Sequence, residues 1–438
     1  MKKILILTTI LIAFLSCSNN IQKGKYSMPS PEDVVMYQIN PRLYAPSNSL
    51  KAIMPQLDSI KSLGANVVWI MPVYPIGKVK SKNSPYSIAD YKAINPEFGT
   101  FEDFKALVDE CHNRGMAFIM DWVANHTAWD NVWMESHKDW YTQNEFGEVI
   151  YTPGTDWTDV ADLNYENRQM RAAMIDAMLY WVNEAGVDGF RCDVADFVPS
   201  DFWAEAISAI RGNAGRKILM LAEGNEPKTF EGGFDMNYGW DYMKTLRNVF
   251  CNDSSATQFI DADLEEYSKL PAGKVKLRFI TNHDEATKKS TVDEFGGTKG
   301  AIAAFVATVF TNGAALVYGE QEVAYPDTIN FFKYQQVDWT SNNDVRQEYR
   351  RLLKIFKENP ILHGAGAVSF SNYDVLAYEK FSGGEKYLVV VNVRNKNSVI
   401  TLPLGWSNVP FRNLVTGKMG RSGERMPLEP YEYRILKK

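Results

Sequence analysis

Gly189-Phe190-Arg191-Cys192-Asp193-Val194-Ala195-Asp196 is the stretch whose reading decides the fold. Residues 187–194 follow a long helical segment and read as a short buried strand. Side chains alternate faces along a strand, so Arg191 and Asp193 point one way and Phe190 and Cys192 the other. An Arg and an Asp on one inward face are costly unless they pair or do chemistry. Taken alone, the pair is equally well a structural ion pair inside a barrel. The rest of the chain decides.

Outward from this stretch, the same unit recurs. Apolar, strand-like runs lie at residues 34–39, 66–73 and 117–123 before it, and at 217–222, 277–281 and 314–318 after it. A weaker one lies near 234–238. Between the runs, apolar residues fall at helical spacing. Leu50, Ile53, Leu57 and Ile60 form one stripe, stopped by Gly64. Thr100 and Asp103 make a capping box before Phe104, Leu107, Val108 and Cys111, stopped by Gly115. A helix from Asn164 carries Met170, Met174, Ala177, Met178 and Trp181 and ends near Gly186. Nearly continuous apolar strands alternating with helices predict a parallel sheet, and eight such units predict a (β/α)8 barrel. In a barrel the chemistry sits at the C-terminal ends of the strands.

Two regions break the rhythm. Residues 126–163 hold Trp129, Trp133, Trp140 and Trp157 with few periodic runs, as a functional lobe would. Beyond about residue 363, short strands separated by Gly, Asn and Pro turns replace the helices and predict a small antiparallel β-sandwich. The predicted organisation is barrel over 31–125 and 164–362, lobe over 126–163, and β domain over 363–438.

Composition narrows the chemistry. Of 438 residues, 45% are hydrophobic and 23% charged, as in a globular protein. The net charge of −6 argues against a nucleic-acid partner, because phosphate binding needs a basic surface. Aromatics at 13% suit stacking on sugar rings. The first residues combine two lysines with an apolar run of export-signal length, too short to span a membrane comfortably. The run ends in Leu15-Ser16-Cys17, which resembles a bacterial lipoprotein cleavage site. Residues 1–16 are then a signal, Cys17 the lipidated residue, and 17–30 a polar tether. Cys111, Cys192 and Cys251 remain, without metal-ligand spacing, and are expected as buried free thiols.

The strand ends carry the functional signal. The third ends in Asp121-Trp122-Val123-Ala124-Asn125-His126, the fourth carries Arg191 and Asp193, the fifth ends at Glu223, and the seventh runs into Asn282-His283-Asp284. A barrel would bring these carboxylates and histidines to one rim. Like charges in one pocket repel, and folds keep such arrangements for function. Paired carboxylates in a cleft are the equipment of glycoside hydrolysis, one as nucleophile or base and the other as acid.

These segments resemble the four signature regions of the α-amylase superfamily of retaining glycosidases, in order: Asp-x-x-x-Asn-His at 121–126, Gly-Phe-Arg-x-Asp at 189–193, Glu223, and Asn-His-Asp at 282–284. Pro85-Tyr86 and residues 95–100 are similar to the family's second-strand loop. The likeness extends to the lobe, the family's domain B after strand 3, and to the C-terminal β-sandwich. It implies Asp193 as nucleophile, Glu223 as acid and then base, and Asp284 as the residue that grips ring hydroxyls. It implies that Arg191 keeps Asp193 ionised, that His126 and His283 hydrogen-bond the sugar, and that Tyr86 stacks on it. It further implies a structural Ca²⁺ with Asn125 and Asp162 among its ligands, and an α-glucan such as starch or maltodextrin as substrate. Asp196 and Phe197 depart from the Lys and His common in α-amylases at those positions. The expected protein is a monomeric, exported enzyme held to a membrane only by its lipid.

Overall fold

The structure, a computed structural model, describes residues 26–364 and 366–438. Cys17 and the proposed signal lie outside these. Eight parallel strands close into a barrel: β1 (Val35–Ile39), β2 (Val67–Ile70), β3 (Ala117–Val123), β4 (Gly189–Asp193), β5 (Leu219–Ala222), β6 (Met236–Tyr238), β7 (Val275–Arg278) and β8 (Ala314–Tyr318). Neighbours pair in chain order, and β8 returns to β1. Every strand is buried along its whole length, which is why the runs read as apolar and not as alternating.

Gly189 shows why the opening stretch begins as it does. A Cβ there would lie 1.9 Å from the Leu219 carbonyl oxygen on β5, so only glycine lets β4 and β5 pair at this point. Phe190 points outward against Trp122, with ring centroids 5.4 Å apart. Arg191 points inward. The alternation predicted for this strand is the one observed.

Two predicted elements differ from those observed. The stripe over 49–63 is two short helices, Ser49–Ile53 and Leu57–Leu63, joined by a 3-10 turn over Met54–Gln56. Pro55 in that turn has no N–H to continue the helix. All four stripe residues are nevertheless buried. The seventh strand lies at Val275–Arg278 and not at 277–281. Lys276 and Arg278 hide it from a hydropathy reading. They point out of the barrel, where Arg278 meets Asp263 and Glu266 on the helix Gln258–Ser268.

The capping box at Thr100 and Asp103 forms as read. Cys111 and Cys192 are buried free thiols, but Cys251 is exposed, near the end of its helix.

The C-terminal part is a six-stranded antiparallel sheet facing a two-stranded one, Ser398–Thr401 with Arg425–Leu428. Alternation divides one of its two longest strands, Val375–Ser382, between two cores. Val375 and Ala377 pack with Ile400, Trp406 and Met426 inside the β domain. Leu376 and Tyr378 join the core of the barrel domain, and the Tyr378 hydroxyl donates to the Phe310 carbonyl at 2.7 Å. No helix among the described residues is long and apolar enough to cross a membrane.

Candidate active site

Asp121 on β3 lies beside Arg191 on β4, and Arg191 beside Leu221 on β5. This register brings residues from distant parts of the chain around one guanidinium. Arg191 Nη1 contacts Asp121 and Asp193 at 2.9 Å each, and Nη2 contacts Glu223 at 2.8 Å. Its Nε donates to the Tyr238 hydroxyl at 3.1 Å. Trp69, Tyr86 and Tyr238 surround the cation, with ring centroids 5.1–5.8 Å from it. Arg191 is fully buried, while Asp193 and Glu223 keep 10% and 13% of their side chains open to the cleft.

One cation among three carboxylates leaves the cluster net negative. Burial, followed by the Glu223 charge, pushes the Asp193 carboxyl well above the ordinary carboxylate range, against the pull of Arg191. Burial likewise raises Asp121 to about 6. Arg191 therefore holds the nucleophile candidate in place without being the dominant influence on its charge.

Val194, immediately after Asp193, has φ +36° and ψ 47°. The left-handed region is strained for a β-branched residue. The turn points the Val194 N–H at Glu223, which accepts at 2.8 Å. Backbone strain is thus coupled to the placement of the second carboxyl.

Asp284 leaves β7 on a turn shaped by Asn282, whose side-chain oxygen accepts the N–H groups of Asp284 and Glu285 at 3.0 and 2.9 Å. Its carboxyl, 40% exposed, faces His283 Nε2 at 3.3 Å. The surrounding protein strips water from it and raises its pKa. His283 sits in a chain of polar contacts. Gln38 Nε2 lies 2.8 Å from His283 Nδ1, His283 Nε2 lies 2.7 Å from the Tyr86 hydroxyl, and that hydroxyl donates to Asp121 at 3.2 Å. As the Gln38 amide stands, it donates to Nδ1 and leaves the proton on Nε2. Burial lowers His283 to about 3 and His126 to about 4, so both rings are neutral at pH 7. Neutral imidazoles suit hydroxyl recognition.

Six of the seven residues predicted to act on or bind substrate, Asp193, Glu223, Asp284, Tyr86, Arg191 and His283, are joined by these contacts, while the His126 ring lies against Trp157 of the lobe, 5.6 Å between centroids. Tyr86 is 9% exposed, and one face of its ring is stacked on His283 at 5.3 Å. Gln38, Trp69, Asp121 and Tyr238 belong to the same constellation but were not among the predicted site residues. A signal existed for Gln38, a lone amide inside the apolar run 34–39.

Asn125 and Asp162 come together through a hairpin pairing His126–Ala128 with Val160–Asp162. Asn125 Nδ2 donates to the Thr152 hydroxyl at 2.9 Å, and Asp162 accepts from Thr142 at 2.7 Å. Burial raises the Asp162 carboxyl. Calcium takes six to eight oxygens, several of them charged. Thr152 engages Asn125 through its amide nitrogen, so the Asn125 side-chain oxygen, the atom calcium would take, is left free of that bond. No group of three or more His, Cys, Asp or Glu among the described residues could hold a metal, so Asn125 and Asp162 would supply two side-chain ligands to a calcium ion, and main-chain carbonyls and water would have to supply the rest.

Comparison with known proteins agrees with this geometry. The family model for the α-amylase catalytic domain matches residues 38–359. The chain is similar to alpha-amylase 2 of Dictyoglomus thermophilum, 26% identical over 396 residues, covering 85% of this chain and 67% of that protein. It is similar to alpha-amylase MalA of Haloarcula japonica, 26% identical over 427 residues, covering 91% of this chain and 61% of that protein. The chain thus spans about two thirds or less of these relatives' length. Among solved structures, a noncanonic maltogenic alpha-amylase from Thermotoga neapolitana superposes with TM-score 0.83 at 28% identity, over 94% of this chain and 99% of that one. An alpha-amylase from Lactobacillus plantarum gives 0.85 at 27% identity, over 93% and 99%. With a closed parallel barrel, a C-terminal antiparallel β domain and a carboxylate cluster at the strand ends, the chain belongs to the α-amylase family of glycoside hydrolases.

Proposed function

We propose that this protein is a retaining hydrolase of α-1,4-glucosidic bonds in starch- or maltodextrin-type glucans. The observation that carries the proposal is the seating of Asp193 and Glu223 on the two Nη atoms of one buried guanidinium, with Asp284 nearby. Double displacement needs two carboxyls about 5–5.5 Å apart, close enough for one to attack the anomeric carbon while the other protonates the leaving oxygen.

Asp193 attacks and forms the glycosyl-enzyme. Glu223 gives its proton to the leaving oxygen, then takes one from the incoming water. Asp284 accepts hydrogen bonds from ring hydroxyls, and neutral His283 and His126 bind others. Tyr86 packs against the sugar. Water and proton transfer suffice, and no step passes through a metal.

Similarity to oligo-1,6-glucosidases, 34% identical over 197 residues for that of Bacillus subtilis, favours a second reading in which α-1,6 bonds or short oligosaccharides are also cleaved. That match covers 37% of this chain. The test is incubation with maltoheptaose, and with pullulan in parallel, with early product anomers read by NMR. α-Anomers are expected; β-anomers would overturn the nucleophile assignment. Release of maltotriose from pullulan would establish α-1,6 cleavage, whereas panose would show that only its α-1,4 bonds are cut, as by a neopullulanase.

The same proposal places the enzyme outside the cytoplasm on a lipid at Cys17. Cys17→Ala should move it from the membrane to the soluble fraction, and unchanged fractionation would reject the anchor.

A further inference from the structure

Residues 26–34 precede β1 and are fastened to the barrel at both ends. Where the chain enters β1, the Asn66 side chain donates to the Asp33 carbonyl and accepts from the Val35 N–H, both at 2.8 Å. At the other end the Tyr26 hydroxyl donates to the Asp188 carboxylate, and the Tyr26 ring stacks on His112, 4.4 Å between centroids at 14°. Asp188 is fully buried and accepts three more bonds, from His112 Nε2 at 2.7 Å, the Phe118 N–H at 2.8 Å and Arg216 Nε at 3.3 Å. Asp188 immediately precedes β4, His112 lies in the last turn of the helix Phe101–Asn113 that leads into β3, and Arg216 lies just before β5. All three therefore stand at the N-terminal ends of the strands, opposite the end that carries Asp193, Glu223 and Asp284.

Chain length turns this fastening into an orientation. Nine residue steps separate Cys17 from Tyr26, and fully extended they reach at most about 30 Å. A compact chain of this size has a radius of gyration of about 22 Å and is therefore about 55 Å across. Turning the cleft onto a bilayer would lift Tyr26 nearly that far from the lipid, beyond what nine steps can span. Without the latch the free chain would run from Cys17 to Val34. Those seventeen steps reach about 55–60 Å and would allow the molecule to turn over.

We propose that the N-terminal end of the barrel is the membrane-facing surface of this protein and that its partner is the phospholipid bilayer that holds the lipid of Cys17. The latch of Tyr26 on Asp188 and His112 keeps the cleft open to the side away from that bilayer. This rests on the lipid at Cys17 proposed above and adds a direction to it. A substrate chain then reaches the carboxylates from the aqueous side while the enzyme stays anchored.

The test measures which end of the barrel lies near the membrane. Lys217 is exposed in the loop before β5, and Phe146, 79% exposed, lies in the lobe on the catalytic side. Full-length lipidated protein with the exposed Cys251 removed by Cys251→Ser carries either Lys217→Cys or Phe146→Cys as the site of a donor dye. It is added to phosphatidylcholine vesicles with an acceptor dye on their head groups. Energy transfer should be several-fold stronger from position 217 than from position 146. Inserting about twelve Gly and Ser residues between residues 25 and 26 adds about 40 Å of reach and should bring the ratio toward one, as should Tyr26→Ala. Equal transfer from the two positions in the parent, or stronger transfer from position 146, overturns the proposal. A ratio that the insertion collapses and Tyr26→Ala leaves unmoved overturns the role of the latch. A parent protein that does not bind the vesicles defeats the lipid reading itself.

Discussion

Arg191 and Arg278 are both fully buried arginines on barrel strands, each gripped by carboxylates, yet they serve opposite ends. Arg278 points outward from β7. Its Nη2 meets Asp263 at 2.7 Å, Nη1 meets Glu266, and Nε donates to the Asn312 carbonyl at 2.7 Å. The second Asp263 oxygen accepts from Asn312 at 2.5 Å, and the second Glu266 oxygen from the Tyr242 N–H at 3.1 Å. Lys380 of the β domain binds Asn312 at 3.2 Å and ties that domain to the same network. Both carboxylate side chains are 1–3% exposed. Arg278 meets both anions directly, Lys380 reaches them only through Asn312, and the carboxylate oxygens are taken.

Arg191 faces three carboxylates alone, and two of them remain open to the cleft. An ion network made for stability closes its charges and its hydrogen bonds; one made for catalysis leaves both open. Burial, and then the uncompensated charge of Glu223, keep Asp193 high in pKa.

The contrast can be broken from either end. The largest effect is expected at the open network. Asp193→Asn and Glu223→Gln should each lower kcat by about 10³-fold or more, as loss of a covalent or acid–base group does. Neither should lower Tm, because each removes a repelling charge. More than a few per cent of residual activity in either would reject the assigned roles. At the closed network the signature reverses. Arg278→Met should cost about 3–5 kcal/mol in denaturant unfolding, because it strands two buried carboxylates. The kcat of the folded fraction should stay within a few-fold of the parent's, and a selective loss of kcat would erase the distinction.

Asp121→Asn sharpens the comparison through pH. The Asp121 charge helps to raise Asp193, so removing it lowers the Asp193 pKa and keeps the proposed nucleophile ionised to lower pH. The acid limb of kcat/KM should move toward lower pH while the maximum falls. Movement to higher pH would show that Asp121 acts mainly by holding Arg191. The smallest effect concerns strain. Val194→Gly should stabilise the fold by about 1 kcal/mol, because glycine accepts positive φ at little cost. It should lower kcat by loosening the Val194 N–H contact with Glu223. Destabilisation would mean that packing of the Val194 side chain outweighs its backbone strain.

Much of the comparison was legible in the chain. The D-x-x-x-N-H and G-F-R-x-D patterns, Glu223 and N-H-D are local, and strand alternation already placed Arg191 and Asp193 on one face. Lys276 and Arg278 misled for the same reason that they matter. Charges on a strand read as its end unless partners are known, and Asp263 and Glu266 sit on a helix with no spacing that links them to β7. The metal expectation at Asn125 and Asp162 rested on likeness, whereas the hydrogen bonds of Thr142 and Thr152 depend on how the lobe folds back.

The sequence by itself determined the period of each element, the faces of the strands and the residues at their C-terminal ends. These follow from alternation and hydropathy over a few residues. Only the tertiary structure decided which charges meet. Asp121, Arg191 and Glu223 lie tens of residues apart and become neighbours because β3, β4 and β5 stand side by side in a closed barrel. The chain from Gln38 through His283 and Tyr86 to Asp121 and the contact between the Phe197 and Trp157 rings have the same origin. Each joins segments that no local pattern relates, and closure of the barrel and docking of the lobe bring them together.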